Sequence, residues 1–209
     1  MSASPLLARD ELAVDPLVAA RRLLGCALVA DTPDGEVRVR LVEVEAYRGA
    51  DDPGSHCYRG RTARNAVMWG PAGHLYVYFV YGMHFCANVV CLTDGVAGAV
   101  LLRAGELLSD PGPAHLRRPT ARGRDVDLAR GPARLCSLLG LHREHDGADV
   151  LSPSSPVRLE DGPRPAEIVT GPRVGVAAGQ ERPWRFWVPG SRAVSPYKAG
   201  RDRPDGPDW

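Results

Sequence analysis

EVRVRLVEVEAY, residues 36–47, reads as one long strand with a change of phase in its middle. Val37, Val39 and Leu41 alternate with polar residues, and then Val42, Val44 and Ala46 become the apolar set. A side-chain period of two slips by one residue only through a local insertion, so the pattern predicts a β-bulge near Leu41-Val42, a device that often re-aims side chains beside active sites. Beyond it Glu43, Glu45 and Tyr47 share the face opposite the core residues. Two carboxylates and an aromatic ring there are either a solvated edge or a site. Taken by itself, the pattern favours the solvated edge.

The neighbouring segments build a sheet around this strand. A strand from Cys26 to Ala30 and a turn at Pro33-Asp34-Gly35 make a hairpin with it. Before that, RDELAVDPLVAARRLL (9–24) repeats apolar residues every three or four positions, the helical period. Asp15-Pro16 is suited to start the better part of that helix and Gly25 to stop it. Residues 48–73 form a long Gly- and Pro-rich loop with a turn at Asp51-Asp52-Pro53-Gly54, and such loops are functional or disordered. HLYVYFVYGMHFCANVV (74–90) gives two aromatic and β-branched strands joined at Tyr81-Gly82-Met83. A third strand, Gly98 to Arg103, follows a turn at Thr93-Asp94-Gly95. Residues 106–128 read as loop, Pro132 to Leu141 as a short helix, and short strands are expected near 157–160, 173–176 and 185–188. The polar tail from about 195 is expected to be loosely ordered. The sum is an α+β, mostly antiparallel fold, with one domain over residues 1–209.

Composition narrows the class. With 209 residues, 44% of them hydrophobic and 24% charged, the chain suits an ordinary globular protein. No apolar run approaches the roughly 20 residues of a membrane helix. MSASPLLARDEL lacks the basic start and long apolar stretch of a secretory signal, so no membrane role and a cytoplasmic location are the expectation. The five cysteines, Cys26, Cys57, Cys86, Cys91 and Cys136, include no C-x-x-C pair and read as small buried hydrophobes. Net charge is +1, but RGRTAR (59–64) and LRRPTARGRDVDLAR (116–130) are locally basic. Such stretches suit either a nucleic-acid contact or an ordinary Arg-rich surface. His142-Arg143-Glu144-His145 has the look of a metal pair but is expected to be solvated surface.

Several of these stretches act together. VEVEAYRG (42–49), the His56 loop, RTARN (61–65), HLYVYFVYGMHFCANVV (74–90), AVLLRA (99–104), GPARLCSLLGL (131–141), PRVGV (172–176) and RFWVPGS (185–191) stand in one order. Order and spacing resemble the alkyladenine (3-methyladenine) DNA glycosylase family from about Leu6 to about Ser195. The resemblance implies a curved sheet with peripheral helices and a protruding β-hairpin. It also implies an enzyme that extrudes a damaged purine nucleotide from double-stranded DNA and hydrolyses its glycosidic bond.

Site roles follow from the same resemblance. Glu45 matches the carboxylate that activates water, with Arg103 holding water and carboxylate, and Glu43 in a supporting place. Tyr47, His56 and Tyr78 match the walls of the base pocket, with Tyr76 beside them, where rings stack on electron-poor purines. Asn88 matches the residue that crowds the amino group of guanine. Tyr81, with Met83 beyond it, matches the wedge that fills the vacated stack. Arg64 and Asn65 anchor the DNA backbone or the loop. No lysine occurs in the strand motif, which implies a monofunctional enzyme without lyase activity. The expectation is a monomer without metal or cofactor, nucleoid-associated if the source is bacterial.

Two departures from the family pattern stand out. His84 replaces an aromatic hydroxyl, and the His56 loop is about one residue shorter. Two other functions stay open: a damaged-DNA-binding relative that has lost catalysis, and an RNA-binding or formyl-transfer relative of similar architecture.

Overall fold

The computed structural model describes residues 4–80, 82–118 and 124–200. Among them, strands β1 (Ala27–Thr32), β2 (Gly35–Tyr47), β3 (Leu75–Val80), β4 (His84–Val90), β5 (Ala99–Leu107), β6 (Val157–Glu160), β7 (Val169–Gly171) and β8 (Arg185–Trp187) form one curled sheet. The main order is β3-β4-β5-β2-β1-β6, and β8 pairs with both β2 and β7. All these pairings are antiparallel. The fold is α+β, as the antiparallel hairpins and few short helices read from the sequence predict.

The phase change in β2 is a real irregularity, and β5 shares it. Leu41 faces Gly105 and Val44 faces Leu102, while between them Glu43 pairs with Ala104. Val37, Val39 and Leu41 enter the main core before this point, and Val44 and Ala46 enter it afterwards. On β5, Val100 and Leu102 face the same core. The close approach depends on Gly105: a Cβ there would lie 2.2 Å from Val39 Cγ1 and 2.7 Å from the Arg40 carbonyl oxygen.

Among the described residues, three α-helices lie outside the sheet. In α1 (Pro16–Leu23), the Asp15 carboxylate accepts from the Leu17 N–H at 2.8 Å. The helix expected over 9–24 is therefore shorter, with only a 3-10 turn at Arg9–Glu11 before it. Asp15 is extended, as a residue before proline prefers, and that breaks the two apart. α2 (Pro111–Arg117) falls inside the stretch read as loop, and its start repeats the device, with Asp110 accepting from the Gly112 N–H at 2.7 Å. α3 (Pro132–Leu139) ends two residues before Leu141, at a left-handed Gly140. Ala19, Ala20 and Leu23 of α1 and Leu135, Leu138 and Leu139 of α3 close the main core over Leu28, Val89, Val100 and Leu102.

Three further expectations are corrected. β5 runs to Leu107, beyond Arg103. The strand expected at 173–176 is absent: β7 ends at Gly171, and at Gly175 the chain turns with φ 70°. The tail is not loose at its start, because Ser195 is buried and the Lys198 carbonyl accepts from the Gly175 N–H at 2.9 Å. All five cysteines are free and buried. Among the described residues no helix is long and apolar enough to cross a membrane.

This register sets up a second face. Glu45 pairs with Leu101, Leu101 with Asn88, and Asn88 with Tyr76. Residues directly opposed in antiparallel strands point to the same side. One row across four strands therefore carries Glu45, Asn88 and Tyr76 on the face away from the main core.

Candidate active site

Glu43 and Glu45 both have 0% exposure, so neither belongs to a solvated edge. A carboxylate so placed must be paired and hydrogen-bonded. Glu43 Oε1 accepts from Arg185 Nε at 2.7 Å, Ser195 Oγ at 2.8 Å and Arg103 Nε at 2.9 Å, and Oε2 accepts from the Ser195 N–H at 2.6 Å. Four donors hold Glu43, three of them on Oε1. Its neighbour is held more openly. Glu45 Oε1 accepts from the Val174 N–H at 2.7 Å and lies 3.3 Å from Arg103 Nη1, while Oε2 accepts from the Tyr47 hydroxyl at 2.9 Å. A carboxylate oxygen has two lone pairs, so Oε2 retains one for water.

The electrostatics are balanced by pairing. Burial opposes the charge of Arg103, but Glu45 and Glu43 outweigh it and hold its pKa above the ordinary arginine value. Burial, and then the charge of Glu45, push the Tyr47 hydroxyl well above its usual range, so it stays a donor. A third buried pair, Arg173 and Asp52, completes the group: Arg173 Nη2 donates to Asp52 Oδ1 at 2.7 Å.

The aromatic residues meet on β3 and the loop before it. Tyr76 and Tyr78 stack with ring centres 5.3 Å apart, and the His56 ring meets Tyr78 edge-on at 4.6 Å. His56 Nδ1 and the Tyr76 hydroxyl share a hydrogen bond of 2.9 Å. Burial, reinforced by the charge of Arg64, lowers the His56 pKa to about 4, so the ring is neutral at neutral pH. Burial raises the Tyr76 hydroxyl to about 12. Asn88 is buried and donates to the Tyr76 carbonyl at 3.3 Å. The arrangement can hold a flat aromatic group against an oriented carboxylate.

Of the two anchor candidates, Asn65 is turned inward. It is buried, donates to the His56 and Gly60 carbonyls at 2.9 and 3.0 Å, and accepts from the Thr62 N–H at 2.7 Å. Its side chain ties the loop together through these bonds. Arg64 is exposed, with its guanidinium 5.9 Å from the Tyr78 ring centre. Met83 and His84 stand exposed at the tip of the β3–β4 hairpin, and Tyr81 lies outside the described residues. The second basic stretch is largely committed to the fold. Arg117 pairs with Asp34 at 3.0 Å, Arg118 donates to the Leu128 carbonyl at 2.6 Å, and Arg130 donates to the Val194 carbonyl at 3.0 Å. His142, Glu144 and His145 have ligand atoms within 4.8 Å of one another at the surface, around a 3-10 turn.

Sequence reading missed Arg173, Asp52, Arg185 and Ser195 as parts of the site. Their signals were disguised: Asp52 sits in a turn motif, Ser195 in a polar tail, and the Val174 contribution is a backbone N–H that no residue type reveals.

A fully buried, oriented glutamate thus lies beside stacked aromatic rings on the face of the curled antiparallel sheet away from the main core. The sequence profile of the methylpurine-DNA glycosylase family matches residues 10–192. A Nocardia farcinica protein, provisionally named 3-methyladenine DNA glycosylase, is 55% identical over 196 residues, covering 90% of each chain. Relatives under the same provisional name are 50% identical in Streptomyces avermitilis, covering 94% of each chain, and 52% identical in Rhodococcus jostii, covering 88% of this chain and 82% of the relative. The chain belongs to the methylpurine-DNA glycosylase family.

Proposed function

We propose that the chain is a monofunctional DNA glycosylase that removes alkylated purines, 3-methyladenine foremost, and also deaminated or etheno purines, from double-stranded DNA. The observation that carries this reading is the Glu45 carboxylate, oriented by Val174, Tyr47 and Arg103 in the same sheet row as Asn88 and Tyr76. Tyr81 and Met83 fill the gap left by the extruded nucleotide. The purine stacks against Tyr47 on one side and against His56 and Tyr78 on the other, while Asn88 excludes the amino group of guanine.

Glu45 takes a proton from water as the water oxygen bonds to C1′ of the sugar. The C1′–N bond breaks and its electron pair leaves with the base. The carboxylate also stabilises the positive charge that develops on the sugar. A cationic methylated purine departs neutral without further help. The enzyme works as a monomer with DNA in the cytoplasm, without metal or cofactor.

A labelled duplex carrying one hypoxanthine or ethenoadenine, run beside methylated DNA, tests the reading. Strand breakage that needs hot alkali, and that disappears in Glu45→Gln, is expected. Breakage without alkali would mean lyase chemistry. A wild type that binds lesions yet releases no base would leave a damage-binding protein in place of an enzyme.

A further inference from the structure

Arg173 has 1% exposure and touches both halves of the site. Its Nη1 donates to the Ala46 carbonyl at 3.1 Å and to Asp52 Oδ2 at 2.5 Å, and Nη2 donates to Asp52 Oδ1 at 2.7 Å. The guanidinium carbon lies 4.6 Å from the Tyr47 ring centre and 5.2 Å from that of Trp184. Asp52 in turn accepts from the Gly54 N–H at 3.1 Å and the Arg48 N–H at 3.3 Å, so the start of the His56 loop is wound around its carboxylate. That loop presses on the clamp: a Cβ at Gly54 would lie 2.8 Å from Arg173 Nη2 and 2.6 Å from Val176 Cγ1. The next residue, Val174, gives Glu45 its 2.7 Å N–H bond.

A fully buried ion pair is a poor stabiliser, since desolvation offsets most of its attraction. Its position is informative. One guanidinium joins the loop that carries His56, the strand that carries Glu45, the ring of Tyr47 and the segment that supplies Val174. We propose that Arg173, locked by Asp52, is a positioning residue for hydrolysis: it holds the Val174 N–H on Glu45 and fixes the Tyr47 ring for base stacking. The inference rests on Glu45 being the group that activates water.

Methylated duplex DNA is the substrate of choice, because its N-methylated purines are already cationic and need no proton to leave. Arg173→Lys and Asp52→Asn are compared with wild type for single-turnover release of 3-methyladenine. Affinity for a duplex with a reduced abasic site and thermal stability are measured alongside. The expected result is a rate lower by about 10- to 100-fold with bound DNA, the size of effect that misplacing a reacting group produces. DNA affinity should stay within about threefold of wild type, so that the loss falls on the chemical step.

An unchanged rate with only a lower Tm, or a rate and DNA affinity that fall together, would reduce Arg173 to a structural bridge and overturn the proposal. So would failure of both variants to fold. A wild type that releases no base is a different outcome, and it would bring down the glycosylase reading itself.

Discussion

The Val174 amide donates to Oε1 of Glu45 at 2.7 Å, joining positions 129 residues apart in the chain. Together with Tyr47 on the other oxygen and Arg103 beside the first, it brings three separate segments to bear on one carboxylate. Orientation of this kind lowers a barrier before any chemistry occurs, because the carboxylate need not search for its working angle.

Tyr47→Phe separates orientation from stacking. The ring remains, but Glu45 Oε2 loses the hydroxyl that is its hydrogen bond among the described residues. A hydrogen bond to a charged group contributes about 1.5–3 kcal/mol, so single-turnover base release should fall by roughly 10-fold or more while lesion binding stays near wild type. Equal loss of binding and rate would show that the ring, and not the hydroxyl, was disturbed.

Glu43→Gln is expected to act on stability first. Glu43 is the acceptor for Arg103 and Arg185 and for two donors of Ser195, all buried. Removing its charge leaves Arg185 without its carboxylate and Arg103 with Glu45 alone, a loss of about 3–5 kcal/mol when one partner of a buried pair is deleted. Urea unfolding measures this directly. A change below about 1 kcal/mol would mean the cluster relaxes into water or onto Glu45.

The same carboxylate shows what the sequence can and cannot tell. The slip in alternation at Leu41-Val42 located the irregular pairing of β2 and β5 and placed Glu43, Glu45 and Tyr47 together. Periodicity could not say whether that face was wet or dry, because the residues that cover it, Ser195 and the 172–176 segment, come from distant loops. α2 was hidden for a local reason: PGPAHLR has the Pro and Gly of a turn, and only the Asp110 cap betrays a helix. The 173–176 segment shows the opposite error. Its Val174 N–H goes to the Glu45 carboxylate and its Gly175 N–H to the Lys198 carbonyl, and the chain turns at Gly175, so no ladder forms.

His56 makes stability depend on pH in a defined window. Its folded pKa of about 4 lies below the ordinary 6.5, with burial the main cause and Arg64 the second. Between these values the unfolded chain takes up a proton that the native protein refuses, so stability falls as pH drops from about 6.5 toward 4. The contribution is about 1–3 kcal/mol, after allowing for the partial exposure of the ring. Tm measured from pH 7 to 5 should decline more steeply in wild type than in His56→Gln. Parallel curves for the two proteins would show that His56 titrates freely.

The two arginine-rich stretches should separate in a salt titration. Arg61 and Arg64 stand exposed, Arg64 beside the Tyr78 ring, whereas Arg117 and Arg130 are tied to Asp34 and to the Val194 carbonyl. Each phosphate contact adds about 0.9 to the slope of log affinity against log salt. Arg61→Ala and Arg64→Ala should therefore each reduce the slope by close to one, with Tm unchanged. Arg117→Ala and Arg130→Ala should leave the slope alone and lower Tm by about 2–4 °C for each kcal/mol lost. The reverse pattern would move the DNA track to the 116–130 side of the protein and remove Arg64 from it.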